Sequence, residues 1–165
     1  MNDTNFWGMI ESAWEAAVIG GALKSRQKLA AGKLSQSKAE DLQNVLEEVI
    51  PILKGQLDRL SVEDLLTFDR ILEQKLYAID REDIHEYMDG SDDGFLYARG
   101  FIVAAGQEYY DAVLTKPSTA LMELECEEMC YLSWHLYEEK FGDMPLSEIS
   151  RESCSNKAGW PSLTQ

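Results

Sequence analysis

Two adjacent carboxylates and an arginine stand in one short stretch, SDDGFLYAR at residues 91–99. On a helix Asp92 and Arg99 are seven positions apart and share roughly one face. So placed, Asp92 and Asp93 would make an acid/base couple or half of a hard-metal site, with Arg99 holding an anion. The competing reading is structural. Ser91 sits where a helix N-cap belongs, and Asp92 and Asp93 fall in the first turn, against free N–H groups and the positive helix end. An internal Asp–Arg bond would then tie the helix start to its neighbours. Carboxylate catalysis needs a second acid positioned by a cleft, and a hard metal needs several oxygen ligands. The stretch shows only the one doublet, so Ser91, Asp92, Asp93, Gly94, Phe95 and Arg99 are taken as a structural or binding motif and no catalytic residue is assigned.

Cysteine and histidine offer less. Cys126 and Cys130 are four apart, as metal ligands can be, but zinc would need two more. His135 follows Cys130 by five positions, which turns it off that face. The face runs on instead through Met129, Ser133, Trp134, Tyr137 and Phe141, a core stripe with two small, soft side chains. Cys154 has no visible partner. His85 and His135 lie in no motif and read as surface or satisfied side chains. GxSxG, HExxH, GxGxxG and P-loop patterns are missing, so serine-nucleophile, zincin, dinucleotide and NTPase chemistry have no support. The expected metal and cofactor sets are empty.

Charge says more. The 165 residues carry 15 Lys+Arg against 30 Asp+Glu, a net charge of −15. Residues 1–60 hold 7 basic and 8 acidic side chains; residues 61–150 hold 6 and 21. The second stretch alone is therefore −15, and residues 151–165 are +1. A nucleic-acid binder needs the opposite sign, and so does a protein that docks on an anionic membrane. Two acidic clusters stand out, IDREDIHEYMDGSDD and ELECEEMCYLSWHLYEE, both interleaved with tyrosine. Carboxylates among tyrosines suit an interface with a basic protein, where charge sets the on-rate and aromatic rings supply binding energy. Asp83, Glu86, Tyr87, Asp89, Glu127, Glu128 and Tyr131 are the expected partner-binding residues. The alternative is a solvated helical face.

These residues need helices to position them. Phe6, Trp7, Ile10, Ala13, Trp14, Ala17 and Val18 recur at helical spacing, with Asp3 or Thr4 as cap and Gly20-Gly21 as stop. Residues 22–35 read as a loop or weak helix. A helix from Gln36 to Ile50 is broken or restarted at Pro51. Ser61 with Asp64 begins a long helix to about Tyr87, with Leu65, Phe68, Leu72, Leu76 and Ile79 inward. Another helix runs from Ser91 to a stop at Gly106, a short one covers 107–114, and a last one runs from near Ser118 or Leu121 to Phe141. The tail from 146 reads as irregular, with Trp160 its one anchor. The expectation is one all-α domain of six to seven helices over 1–145, with a polar tail over 146–165. No apolar run reaches membrane-spanning length and the N-terminus does not pattern as a signal peptide. Three cysteines without a CxxC suit a reducing, cytoplasmic setting.

Four segments in order, NFWGMIESA, LSVEDLLTFDRIL, SDDGFLYARGFIVAAGQEYYDAVLTKPSTAL and ECEEMCYLSWHLYEEKFGDMP, resemble a bacterial domain-of-unknown-function family, number 4240, over residues 5–145. The resemblance implies a small, stand-alone all-α protein and brings no activity, cofactor or catalytic residue with it. Ser91, Asp92, Asp93, Gly94, Phe95, Arg99, Gly106 and Pro117 match its motif. Phe101 stands where members often have Trp. The functional expectation is an acidic protein-interaction domain, in its sharpest form a cytoplasmic inhibitor or immunity protein on a basic toxin. A small enzyme or ligand-binding protein using Asp92, Asp93 and Arg99, and a regulatory adaptor or nucleic-acid mimic, are the alternatives.

Overall fold

The computed structural model describes residues 1–88 and 90–163, and every regular element among them is helical. Eight α-helices, rather than six or seven, follow one another: α1 Asp3–Ala16, α2 Ala22–Ala30, α3 Gln36–Leu57, α4 Val62–Ala78, α5 Glu82–Met88, α6 Asp92–Ala104, α7 Gln107–Thr115 and α8 Glu127–Phe141. Short 3-10 turns cover Pro117–Thr119, Lys157–Gly159 and Pro161–Leu163. Helix α8 lies against α3, α4 and α6, α1 packs on α3, and α2 bridges α3 and α7. No helix is long and apolar enough to cross a membrane among the described residues.

Polar caps set three of the helix starts. Ser61 accepts from the Asp64 N–H at 3.1 Å and Ser91 from the Gly94 N–H at 3.2 Å. At α1 the cap is Asn2, not Asp3 or Thr4, accepting from Asn5 at 3.0 Å. Such a cap is worth about 1 kcal/mol. Its stripe of Phe6, Trp7, Ile10, Ala13 and Trp14 is buried, but the helix ends at Ala16 and leaves Val18 84% exposed.

Four elements depart from the sequence reading for identifiable reasons. Residues 22–30 form a full helix because Ala22 and Leu29 are buried and Arg26 has work inside: its Nε donates to the Ala105 carbonyl at 2.7 Å and its guanidinium lies over Trp14. Pro51 sits within a continuous α3. The lost hydrogen bond and ring clash cost about 3 kcal/mol, offset by burial of Val49, Ile50, Leu53 and Leu57 on either side. The long helix expected to Tyr87 stops at Ala78, and a new one starts at Glu82. Asp80 lies in that break, fully buried, its carboxylate committed elsewhere. Finally α8 starts at Glu127, not near 118–121, because the preceding backbone is held by neighbours. Cys126 N–H donates to the Tyr97 carbonyl at 2.9 Å and Glu125 N–H to Gln43 Oε1 at 2.7 Å. Along α8, Met129, Cys130, Ser133 and Tyr137 are buried as expected, whereas Trp134 and Phe141 are exposed.

Gly106 joins α6 to α7 at φ +104°, where side chains are strained, and a Cβ there would collide with Arg26 Nη2 and Glu11 Oε1.

Candidate functional site

The motif helix is capped by Ser91, with Asp92 and Asp93 exposed in its first turn. Arg99, two turns on, is fully buried and points elsewhere. Its Nη1 donates to the Leu76 carbonyl at 2.9 Å, and Nη2 to the Arg151 carbonyl at 3.0 Å and Ser153 Oγ at 3.1 Å. The expected Asp–Arg bond is not formed among the described residues. Ser153 Oγ instead links the two ends, donating to the Asp92 backbone carbonyl at 2.6 Å. Burial lowers the Arg99 pKa, with Asp80 the strongest charge acting against that fall. The three residues of the enzyme alternative thus do not converge on one opening.

Beneath the tail lie three buried carboxylates: Asp69 and Glu73, which sequence reasoning missed, and Asp80, the first acid of the IDREDIHEYMDGSDD cluster expected at a partner surface or solvated face. Asp80 accepts from Cys154 N–H at 3.0 Å, Asn156 N–H at 2.8 Å, Ser155 Oγ at 3.3 Å and Trp160 Nε1 at 2.8 Å. Asp69 accepts from Ser133 Oγ at 2.8 Å and pairs with Arg151 Nη2 at 3.1 Å. Glu73 pairs with Arg151 at 2.9 Å and with Arg70 at 2.9 Å. Arg151 also donates to the Cys130 carbonyl. Burial alone would lower the pKa of Arg151, but Asp69 and Glu73 outweigh it and hold it raised. One signal was available: 69, 73 and 80 are four and eleven positions apart, one face of an apolar helix.

The exposed carboxylates gather at the starts of α6 and α8. Burial raises the Tyr97 pKa, and the neighbouring Glu127 and Asp93 raise it further. Glu152 from the tail acts on Tyr131, whose pKa burial pushes up to about 12. Tyr131 stacks on His135 with ring centroids 5.8 Å apart. A cleft of about 400 Å³ adjoins this surface, with Glu47, Glu125 and Glu128 in its wall. Among the described residues, Asp92, Asp93, Glu125, Glu127, Glu128 and Glu152 make no ion pair. The other half of the expected partner surface sits on α5. Asp83 there is engaged by Arg81, Glu86 and Tyr87 are exposed, and Asp89 lies outside the described residues.

His85 packs edge-on against Phe95 at 4.9 Å and near Trp160 at 5.4 Å. Cys126 and Cys130 are buried between α6 and α8, and Cys130 Sγ donates to the Leu96 carbonyl at 3.4 Å. No group of three or more His, Cys, Asp or Glu is placed to hold a metal among the described residues. Burial pushes both thiols up to about 12. The folded state therefore keeps them protonated while the unfolded chain ionises them near 9.0, so the stability they carry is complete below that pH and falls as pH rises from 9 toward 12. Ellman titration of the native protein at pH 8 should report at most the half-buried Cys154 reacting promptly, and all three cysteines after denaturation. Prompt reaction of two or three native thiols would contradict the packing.

Among known proteins, a family described as "Protein of unknown function (DUF4240)" matches residues 1–139. No curated protein and no solved structure matches.

Proposed function

The chain belongs to the DUF4240 family, and we propose that it acts as a protein-interaction domain that docks a basic partner through the carboxylate surface at the starts of α6 and α8. The observation that supports this is the set of carboxylates without an ion pair among the described residues, Asp92, Asp93, Glu125, Glu127, Glu128 and Glu152, around Tyr97, Tyr131 and an acid-walled cleft. Neighbouring like charges are unfavourable alone and are relieved by cations brought by a partner. Lysine or arginine side chains fit the cleft, and Tyr97 and Tyr131 beside the carboxylates supply aromatic contact surface. In its sharpest form the protein is a cytoplasmic inhibitor, an immunity protein seated in the basic active-site cleft of a toxin.

The test is affinity capture from the native cell at about 0.1 M and 0.5 M salt, which bracket moderate and strong screening, followed by kinetics on the purified pair. One stoichiometric basic protein is expected, with an association rate falling at least tenfold across that range. Glu127→Lys with Glu128→Lys should slow association a further tenfold or more. An on-rate indifferent to salt and to the charge reversal would refute the electrostatic docking.

A further inference from the structure

The C-terminal segment behaves in its bonding less like part of the helical body than like a ligand on it. All four hydrogen bonds received by Asp80, one of the deepest carboxylates in the protein, come from residues 154–160. Arg151 is driven between Asp69 and Glu73, and Trp160 lies beside Phe95 and His85 with its indole N–H on Asp80. The receiving groups belong to α4, α5, α6, α8 and the α4–α5 break, inside the family match, while the occupant begins after it ends at residue 139. Charge is complementary: residues 61–150 are −15 and residues 151–165 are +1. The fit also leaves capacity unused. Arg99 offers Nη2 to the tail, yet its buried Nε has no acceptor among the described residues.

We infer that this surface is a peptide-binding groove, occupied in cis by residues 150–160, and that the partner it fits is a basic segment presenting an arginine for Asp69 and Glu73 and an indole for Asp80. The tail is then a displaceable strap. Covalent attachment holds it at an effective concentration of about millimolar, so a partner must either outbind it or meet the domain with its tail released. The groove floor of Asp69, Glu73 and Asp80 is distinct from the exposed carboxylates of α6 and α8, although the tail's Glu152 borders both at Tyr131, and this inference does not rest on docking there.

The groove is tested in the full chain carrying a site-specific protease sequence between the exposed Gly142 and Asp143. The probe is a fluorescent synthetic peptide of residues 147–163. After cleavage and removal of the released tail, the helical body should keep its circular dichroism and bind the peptide saturably. Arg151→Ala or Trp160→Ala in the peptide should weaken binding at least tenfold, and the uncut chain should bind at least 100-fold more weakly than the cut one. Glu127→Lys with Glu128→Lys should leave peptide binding unchanged, which separates this groove from the exposed surface. Loss of helicity on cleavage would make the tail an integral part of the fold and overturn the inference. A folded body that takes up no peptide, or equal uptake by cut and uncut chains, would overturn it too. Hydrogen exchange on the unmodified chain gives a second reading: amides of 149–160 should open at least tenfold more often than those of α4 and α6, and simultaneous opening would refute a strap.

Discussion

Asp80→Ala is expected to lower the unfolding free energy by about 3 kcal/mol, as measured by urea denaturation. The carboxylate is fully buried and satisfies the Cys154 and Asn156 N–H groups, the Ser155 hydroxyl and the Trp160 indole together. Alanine removes every acceptor and leaves those donors facing a void. It also removes the strongest opposing charge on Arg99, which stays fully buried. Asp80 and Arg99 are not in ion-pair contact, but removing one of two interacting buried charges together with four hydrogen bonds approaches the roughly 3–5 kcal/mol seen when a buried pair is broken. The low end applies here because the tail can lift and let water reach the orphaned groups. Asp80→Asn keeps one acceptor oxygen and the volume but turns an N–H₂ toward other donors, so a loss of about 1–2 kcal/mol is expected. Trp160 fluorescence should shift to the red in both variants as the indole reaches water. A loss under about 1 kcal/mol for Asp80→Ala, with Trp160 fluorescence unchanged, would mean that this carboxylate does not hold the tail.

Local pattern made part of this visible and hid the rest. Helices α1, α4 and α6 were legible because an apolar stripe of period 3.6 and, for α4 and α6, a serine cap occur in adjacent residues. The burial of Cys126 and Cys130 followed from the same periodicity. The start of α8 was not legible, because residues 120–126 look helical until Tyr97 and Gln43 take their backbone N–H groups from 29 and 82 positions away. Nor was the partner of Arg99. The nearest carboxylates in sequence, Asp92 and Asp93, stay in solvent, and the carbonyls and hydroxyl that receive the guanidinium come from α4 and the tail. Arg151 is the same case in reverse. An arginine in a serine-rich tail reads as solvated, and only the folded chain brings Asp69, 82 positions earlier, against it. Trp160 was expected as an anchor, since a lone indole in a polar tail has little reason to remain in water.

Gly100 carries no sequence signal at all, yet Gly100→Ala is expected to destabilise the fold by about 2 kcal/mol. Two effects oppose each other. In a helix interior alanine is favoured over glycine by about 1 kcal/mol. Against this, a Cβ at position 100 would overlap the Cys126 carbonyl oxygen and lie 2.6 Å from Cys130 Sγ, closer than atoms tolerate. Neither neighbour can easily withdraw. Cys126 is pinned to α6 by its own N–H on the Tyr97 carbonyl, and Cys130 Sγ is bonded to the Leu96 carbonyl. Relieving the overlap means pushing α8 away from α6 along one of the most extensive helix contacts in the protein. Overpacking of that kind costs about 1–3 kcal/mol, and more when backbone must move, so the clash wins. Gly55→Ala is the matched control. It lies inside α3 with open space where a Cβ would go, so only the propensity gain remains, and stability should rise by up to about 1 kcal/mol. The two substitutions are chemically identical and should move the urea midpoint in opposite directions. If Gly100→Ala stabilised the protein as Gly55→Ala does, the close approach of α6 to α8 would be wrong. The buried cysteines and the groove floor that depend on that approach would then need rebuilding.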